Sequence, residues 1–143
     1  MENRHILLVD DNEDDLFFML RALEAAKISS PVKVMKDGAA AKHYLAGLAE
    51  SGETVSLPCL VLLDIQLPVL TGLEVLAWIR QDKILRDLVV VMLTTSKQSS
   101  DVKAARALGA NSFLSKPILL DELNELARRL KGYWLESDLL GKL

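Results

Sequence analysis

The alternation of short apolar runs with helical patterns is the feature that most constrains the fold of this chain. Five apolar runs recur along the 143 residues, and amphipathic segments separate them. The runs are His5–Asp10, Pro31–Asp37, Cys59–Ile65, Leu88–Thr95 and Ser112–Lys116. Three of the five are apolar on both faces. This pattern is typical of strands in a parallel sheet that helices cover on both sides.

Apolar residues at helical spacing predict one helix after each run. The first two helices are predicted at about Glu13–Ala26 and Ala39–Leu48, the third begins at Gly72, and the last two end before Gly109 and Gly132. Strict alternation of strands and helices indicates right-handed crossovers and a doubly wound α/β fold. The polar connection Ala49–Pro58 and the terminal stretch Gly132–Leu143 are additions to this minimal pattern.

Length, charge and composition exclude several classes of protein. A length of 143 residues suits one domain, which we assign to residues 1–131, followed by a tail over residues 132–143. The net charge is -3 and both signs are spread along the chain, so we expect no nucleic-acid partner. The apolar runs are far shorter than the roughly 20 residues that cross a bilayer. With a single cysteine, Cys59, the composition suits a reducing compartment, and we expect a cytoplasmic protein.

Polar side chains follow the predicted strands at the positions where these strands end. Asp10 and Asp11 follow the first strand, Asp64 ends the third, Thr94 ends the fourth and Lys116 ends the fifth. A single Asp after a strand is more often a turn residue than a ligand. In an open parallel sheet, however, ligands bind beyond the carboxyl ends of the strands. The coincidence of four strand ends therefore favours a shared site.

The residue types at these strand ends indicate phosphoryl transfer. Neighbouring carboxylates repel one another and require a cation, and Mg²⁺ prefers oxygen ligands of this kind. Metal and lysine can neutralise phosphoryl oxygens while one carboxylate acts as the acceptor. Asp10 and Asp11 are adjacent and suit joint metal binding, whereas Asp64 stands alone on the central strand. We therefore predict that Asp64 is the nucleophile.

Four segments resemble the receiver domains of two-component response regulators. They are "VDD" at Val9–Asp11, "LLDIQLPVLTGLEVL" at Leu62–Leu76, "VVVMLTTS" at Val89–Ser96 and "GANSFLSKPI" at Gly109–Ile118. The resemblance covers roughly residues 4–131 and rests on the joint order and spacing of these segments. It implies a flavodoxin-like (βα)5 sheet with strand order 2-1-3-4-5. It also implies a single-domain signalling protein whose only chemistry is its own phosphorylation and dephosphorylation.

The resemblance also implies a role for each residue of the site. Asp64 would accept the phosphoryl group from a sensor histidine kinase. Asp10, Asp11 and Asp64, with the backbone carbonyl of Gln66, would hold Mg²⁺. Lys116 would pair with the phosphoryl group.

Two further residues would couple phosphorylation to a change of shape. Thr94 would hydrogen-bond the phosphoryl group, and Phe113 occupies the switch position at which many relatives carry Tyr. The Lys116–Pro117 peptide bond would be cis. The resemblance therefore predicts a protein whose output is a change in its contacts with other proteins.

The connection Ala49–Pro58 and the segment Tyr133–Glu136 resemble the subgroup that serves phytochrome-type histidine kinases. The tail over residues 132–143 either folds back on its own domain or docks on a second subunit, and we favour a homodimer. Asp14 and Asp15 are interpreted as acids that stabilise the amino end of the first helix. Glu13 is expected to face water.

Two other functions use similar strand ends. A phosphohydrolase of the haloacid dehalogenase type requires an Asp-x-Asp pair, but Gln66 stands where the second acid would be. A flavin mononucleotide binder requires a loop rich in hydroxyl groups and glycine after the first strand. The acids from Asp10 to Asp15 would repel the phosphate of that cofactor.

Overall fold

The centre of the molecule is a five-stranded parallel sheet with the strand order β2-β1-β3-β4-β5, which confirms the predicted fold. The computed structural model describes residues 4–52, 56–94, 99–116 and 120–132. Its strands are β1 (Ile6–Val9), β2 (Val32–Met35), β3 (Leu60–Asp64), β4 (Val90–Thr94) and β5 (Ser112–Ser115). Because β1 and β3 are hydrogen-bonded neighbours, with Val9 paired to Leu63, the residues that end them lie side by side.

One helix follows each strand, as the alternation predicts. The helices are α1 (Glu13–Ala25), α2 (Gly38–Ser51), α3 (Gly72–Gln81), α4 (Ser99–Ala107) and α5 (Leu120–Leu130). Side chains fix the starts of the first three helices, since Asn12, Asp37 and Thr71 each accept a hydrogen bond from a first-turn backbone amide. These caps satisfy donors that have no partner within the helix.

The core has two layers, one on each face of the sheet. Leu7 and Val9 of β1 pack with α2, α3 and α4, whereas Ile6 and Leu8 pack with α1 and α5. Successive strand residues point to opposite faces, so a strand covered on both sides is apolar at every position. All residues of β1, β3 and β4 are buried, which confirms the interpretation of these runs.

The second helix is longer than predicted. It continues to Ser51 and ends at Gly52, which has a φ of 75°. The prediction of a polar connection from Ala49 was therefore wrong for its first three residues. Ala49 packs against the core, so tertiary contact extends the helix beyond the last strongly apolar position. Within the described ranges, no helix is long and apolar enough to span a membrane.

Two predictions fall outside the part of the chain that the structure describes. The isomer of the Lys116–Pro117 bond concerns residue 117, and the predicted dimerisation arm, residues 132–143, lies within the described part of the chain only at residue 132. Both stay predictions.

Candidate functional site

The carboxyl ends of β1, β3 and β5 bring two buried acids and a lysine together. Asp10 follows β1 directly, Asp64 is the last residue of β3, and Lys116 follows β5 directly. Asp10 is 4% exposed and Asp64 is 6% exposed. The backbone amide of Lys116 donates to the carbonyl of Thr94 at 2.7 Å, which fixes the lysine beside β4. The predicted convergence of strand ends is therefore present in the fold.

Asp10, Asp11 and Asp64 form a group of three carboxylates that could hold a metal ion. One oxygen from each lies within 4.8 Å of the others. Asp11 is exposed, whereas the other two are buried. Oxygen donors alone make up this set, and hard divalent cations prefer such donors. The residues present therefore fit a divalent ion.

Lys116 is the cation that balances part of this charge. Its Nζ lies 2.6 Å from Asp10 Oδ2, 2.9 Å from Asp15 Oδ2 and 3.1 Å from Asp64 Oδ2. The lysine side chain is 10% exposed. One ammonium group thus faces three carboxylates, and the site keeps an excess of negative charge.

Backbone amides orient the two buried acids. Asp10 Oδ1 accepts from the amide of Asn12 at 3.0 Å, and Asp64 Oδ1 accepts from the amide of Gln66 at 3.2 Å. The second oxygen of each carboxylate, Oδ2, is the one that faces Lys116. Each acid is held by its own loop and is therefore pre-oriented toward the lysine.

Burial and charge shift the pKa values of Lys116 and Asp64. Burial by itself would lower the pKa of Lys116, but the hydrogen bonds that Lys116 donates to Asp10 and Asp15 and the charge of Asp64 raise it above its usual range. Burial raises the pKa of Asp64; Lys116 opposes this shift and Asp10 adds to it.

Gly72 allows α3 to begin directly against the backbone of Asp64. Its amide donates to the carbonyl of Ile65 at 2.9 Å. A Cβ at this position would lie 2.0 Å from the backbone oxygen of Asp64. Only glycine therefore fits without a shift of the backbone that carries Asp64.

The remaining predicted site residues lie on the neighbouring strands. Thr94 is fully buried at the end of β4, next to Leu93, which pairs with Asp64 in the sheet. Phe113 is partly buried on β5 and packs against the core layer beneath α2, α3 and α4. Gln66 is exposed. The roles assigned to these residues stay predictions.

Sequence reasoning missed the contact between Asp15 and Lys116. Asp15 was interpreted as a helix-stabilising acid, but its carboxylate also pairs with the lysine of the site. Helical spacing carries the signal that could have found it. Asp15 lies one turn before the buried Met19, on the inward face of α1, whereas Asp14 is exposed. Glu13 is exposed, as expected, and pairs with Lys36 on the surface.

Comparison with known proteins gives consistent matches over nearly the whole chain. The family model for the response regulator receiver domain matches residues 6–128. The probable methanogenesis regulatory protein FilR2 of Methanothrix harundinacea is 40% identical over 130 residues, which are 91% of this chain and 83% of FilR2. Response regulator Rcp1 of Synechocystis is 36% identical over 132 residues, which are 92% of this chain and 89% of Rcp1.

Solved structures show the same fold. The phosphorylated cyanobacterial phytochrome response regulator RcpA superposes with a TM-score of 0.85 at 32% identity, covering 94% of this chain and 96% of RcpA. The Mn²⁺-bound form of Rcp1 has a TM-score of 0.79 at 36% identity, covering 93% of this chain and 95% of Rcp1. Sequence and fold therefore identify the same group of proteins.

Proposed function

This chain belongs to the response regulator receiver domain family, and from this premise we propose that it accepts a phosphoryl group on Asp64 from a histidine kinase. The observation that carries the proposal is the convergence of Asp10, Asp64 and Lys116 beyond the strand ends. As a receiver domain the protein acts in two-component signalling, and we propose that its only chemistry is its own phosphorylation and dephosphorylation.

Phosphoryl transfer exchanges one bond to phosphorus for another. A carboxylate oxygen of Asp64 bonds to phosphorus while the phosphorus–nitrogen bond of the kinase phosphohistidine breaks. The electron pair of that bond stays on the imidazole nitrogen. Hydrolysis later breaks the new phosphorus–oxygen bond and restores the Asp64 carboxylate. The chain thus returns to its starting state.

The neighbouring side chains favour this step by charge and hydrogen bonding. Lys116 Nζ, which lies 3.1 Å from Asp64 Oδ2, would pair with a phosphoryl oxygen. Thr94 would donate its hydroxyl hydrogen to another. Asp10 and Asp11, together with Asp64 and the carbonyl of Gln66, would hold Mg²⁺, which neutralises phosphoryl charge when bound. The group of three carboxylates and the Mn²⁺-bound form of Rcp1 support a divalent ion.

A change of partner contacts is the proposed output. Thr94 would move toward the phosphoryl group, and Phe113 on β5 would follow the change in packing. Because RcpA is described as a phytochrome response regulator, a phytochrome-type kinase is the proposed partner of this chain.

Incubation with acetyl phosphate and Mg²⁺, followed by intact-mass measurement, tests the proposal. The wild type should gain one acid-labile phosphoryl group, and Asp64→Asn should gain none. Asp87→Asn, which neutralises an exposed acid after α3, is the matched control and should behave as the wild type does. Persistent labelling of Asp64→Asn would refute the assignment of the acceptor.

A further inference from the structure

The carboxylate of Asp15 contacts the lysine of the site but has no part in the transfer step described above. We propose that Asp15 is a positioning residue that competes with the phosphoryl group for Lys116 and so limits how tightly this site holds its phosphoryl group. The inference rests on the proposed function.

The contacts of Lys116 leave its ammonium group with no spare donor. An ammonium group has three N–H donors. Asp10, Asp15 and Asp64 each place one oxygen within 3.1 Å of Nζ. A phosphoryl oxygen that binds Lys116 must therefore share or replace one of these acceptors.

Asp15 differs from the other two acceptors in the exposure of its side chain and in its position. Its side chain is 39% exposed, compared with 5% for Asp10 and 7% for Asp64. It also lies outside the group of carboxylates that could hold a metal ion. When Asp10 binds a metal ion and Asp64 carries the phosphoryl group, Asp15 is the acid that still attracts the Lys116 ammonium group.

The charge of Asp15 also opposes an incoming anion. Asp15 on α1 and Asp64 on β3 contact the same ammonium nitrogen of Lys116. A phosphoryl group on Asp64 would therefore lie near the negative charge of Asp15 as well as the positive charge of Lys116. At such separations, one unit charge changes the affinity for an anion appreciably even when water screens it. Removal of this charge should therefore favour the phosphorylated form.

The affinity for beryllium trifluoride in the presence of Mg²⁺ tests this inference, because this anion mimics a phosphoryl group and binds reversibly. Titration calorimetry should show that Asp15→Asn binds the anion about three- to tenfold more tightly than the wild type. Asp15→Glu keeps the charge and should restore an affinity near that of the wild type.

Asp14→Asn is the matched control, because it removes the same charge from the same helical turn at an exposed position. Its effect should stay below about twofold, since its charge is screened by water. In a Lys116→Met background, the added effect of Asp15→Asn should become smaller than in the wild type, because competition for the lysine is lost and only the direct repulsion of the anion remains. A helix-stabilising role would not produce this coupling.

Each outcome has a separate meaning. If the wild type neither binds the anion nor incorporates phosphoryl from acetyl phosphate, the proposed function fails. If the wild type binds it but Asp15→Asn and Asp14→Asn behave alike, only the inference about Asp15 fails. Weaker binding by Asp15→Asn would also overturn it, since this result would mean that Asp15 holds the lysine ready.

Discussion

The acidic residues in the stretch Asp10–Asp15, which follows β1, make different contacts. Asp10 is buried and faces Lys116, whereas the adjacent Asp11 is exposed and completes the group of three carboxylates. Asn12 caps α1 by accepting from the amide of Asp15 at 2.9 Å. The Asp15 side chain contacts Lys116 from that first turn. Neighbouring residues of this stretch thus belong to the group of three carboxylates, cap α1 and contact Lys116.

Neutralisation of Asp11 should stabilise the metal-free protein. Asp11 adds a negative charge within 4.8 Å of two other carboxylates and has no ion pair with Lys116 in the described contacts. A repulsion of about 1 kcal/mol corresponds to a rise of about 3 °C in melting temperature for Asp11→Asn in EDTA. Differential scanning calorimetry would measure this shift.

Asp14→Asn should show the opposite sign, because Asp14 lies in the first turn of α1, where an acid stabilises the helix. Added Mg²⁺ should stabilise the wild type more than Asp11→Asn, because Asp11 is one of the proposed metal ligands. A lower melting temperature for Asp11→Asn in EDTA would mean that repulsion among the acids does not dominate.

Among the elements, α3 begins directly against the backbone of Asp64. Thr71 and Glu74 form a reciprocal capping box at its start, and Gly72 lies against the backbone of Asp64. The start of the helix therefore fixes the backbone at Asp64. A shift in the start of α3 would therefore also move Asp64.

Substitution of Gly72 by alanine should damage both stability and the site. The added Cβ would lie 2.0 Å from the Asp64 carbonyl oxygen, so the backbone must shift. We expect Gly72→Ala to reduce the free energy of unfolding by about 1–3 kcal/mol. Urea denaturation would measure the loss, and phosphoryl uptake from acetyl phosphate should fall with it.

Gly47→Ala provides the matched control in the interior of α2. A Cβ at Gly47 would have no neighbour within 4 Å. This substitution should raise stability by about 0.5–1 kcal/mol, because alanine loses less entropy in a helix than glycine does. Equal stability of the two variants would contradict the close approach at Gly72.

For the whole molecule, the segment that follows α5 bears on the association of two copies. α5 ends near the end of α1, where Lys131 Nζ donates to the carbonyl of Ala26 at 3.2 Å. The sequence that follows contains Tyr133, Trp134 and Leu135. Large apolar side chains of this kind often mark a contact between proteins.

We propose that residues 132–143 mediate a homodimer. Light scattering should give about twice the chain mass of 15.8 kDa for the full protein. Deletion of Tyr133–Leu143 should leave a monomer, and the deletion variant should retain phosphoryl uptake. A monomeric mass for the full protein would exclude the arm.

The sequence alone determined the architecture and most of the site. Apolar runs at β1, β3 and β4 specify strands buried on both faces, because backbone pairing and burial leave few other places for such runs. The strand ends predicted Asp10, Asp64 and Lys116 as neighbours, since parallel strands present their carboxyl ends at one edge. The capping residue Asn12 was also predictable from local chemistry.

Only the tertiary structure decided which acids share the lysine. Asp15 and Lys116 are 101 positions apart in the chain, and the packing of α1 with α5 on one face of the sheet brings them to 2.9 Å. The extension of α2 to Ser51 likewise depends on burial of Ala49 against the core. Local preferences act over a few residues, whereas these features depend on distances that exist only after the layers pack. The acids and the lysine at the strand ends could thus be read from the sequence, whereas the contact between Asp15 and Lys116 depends on the tertiary structure.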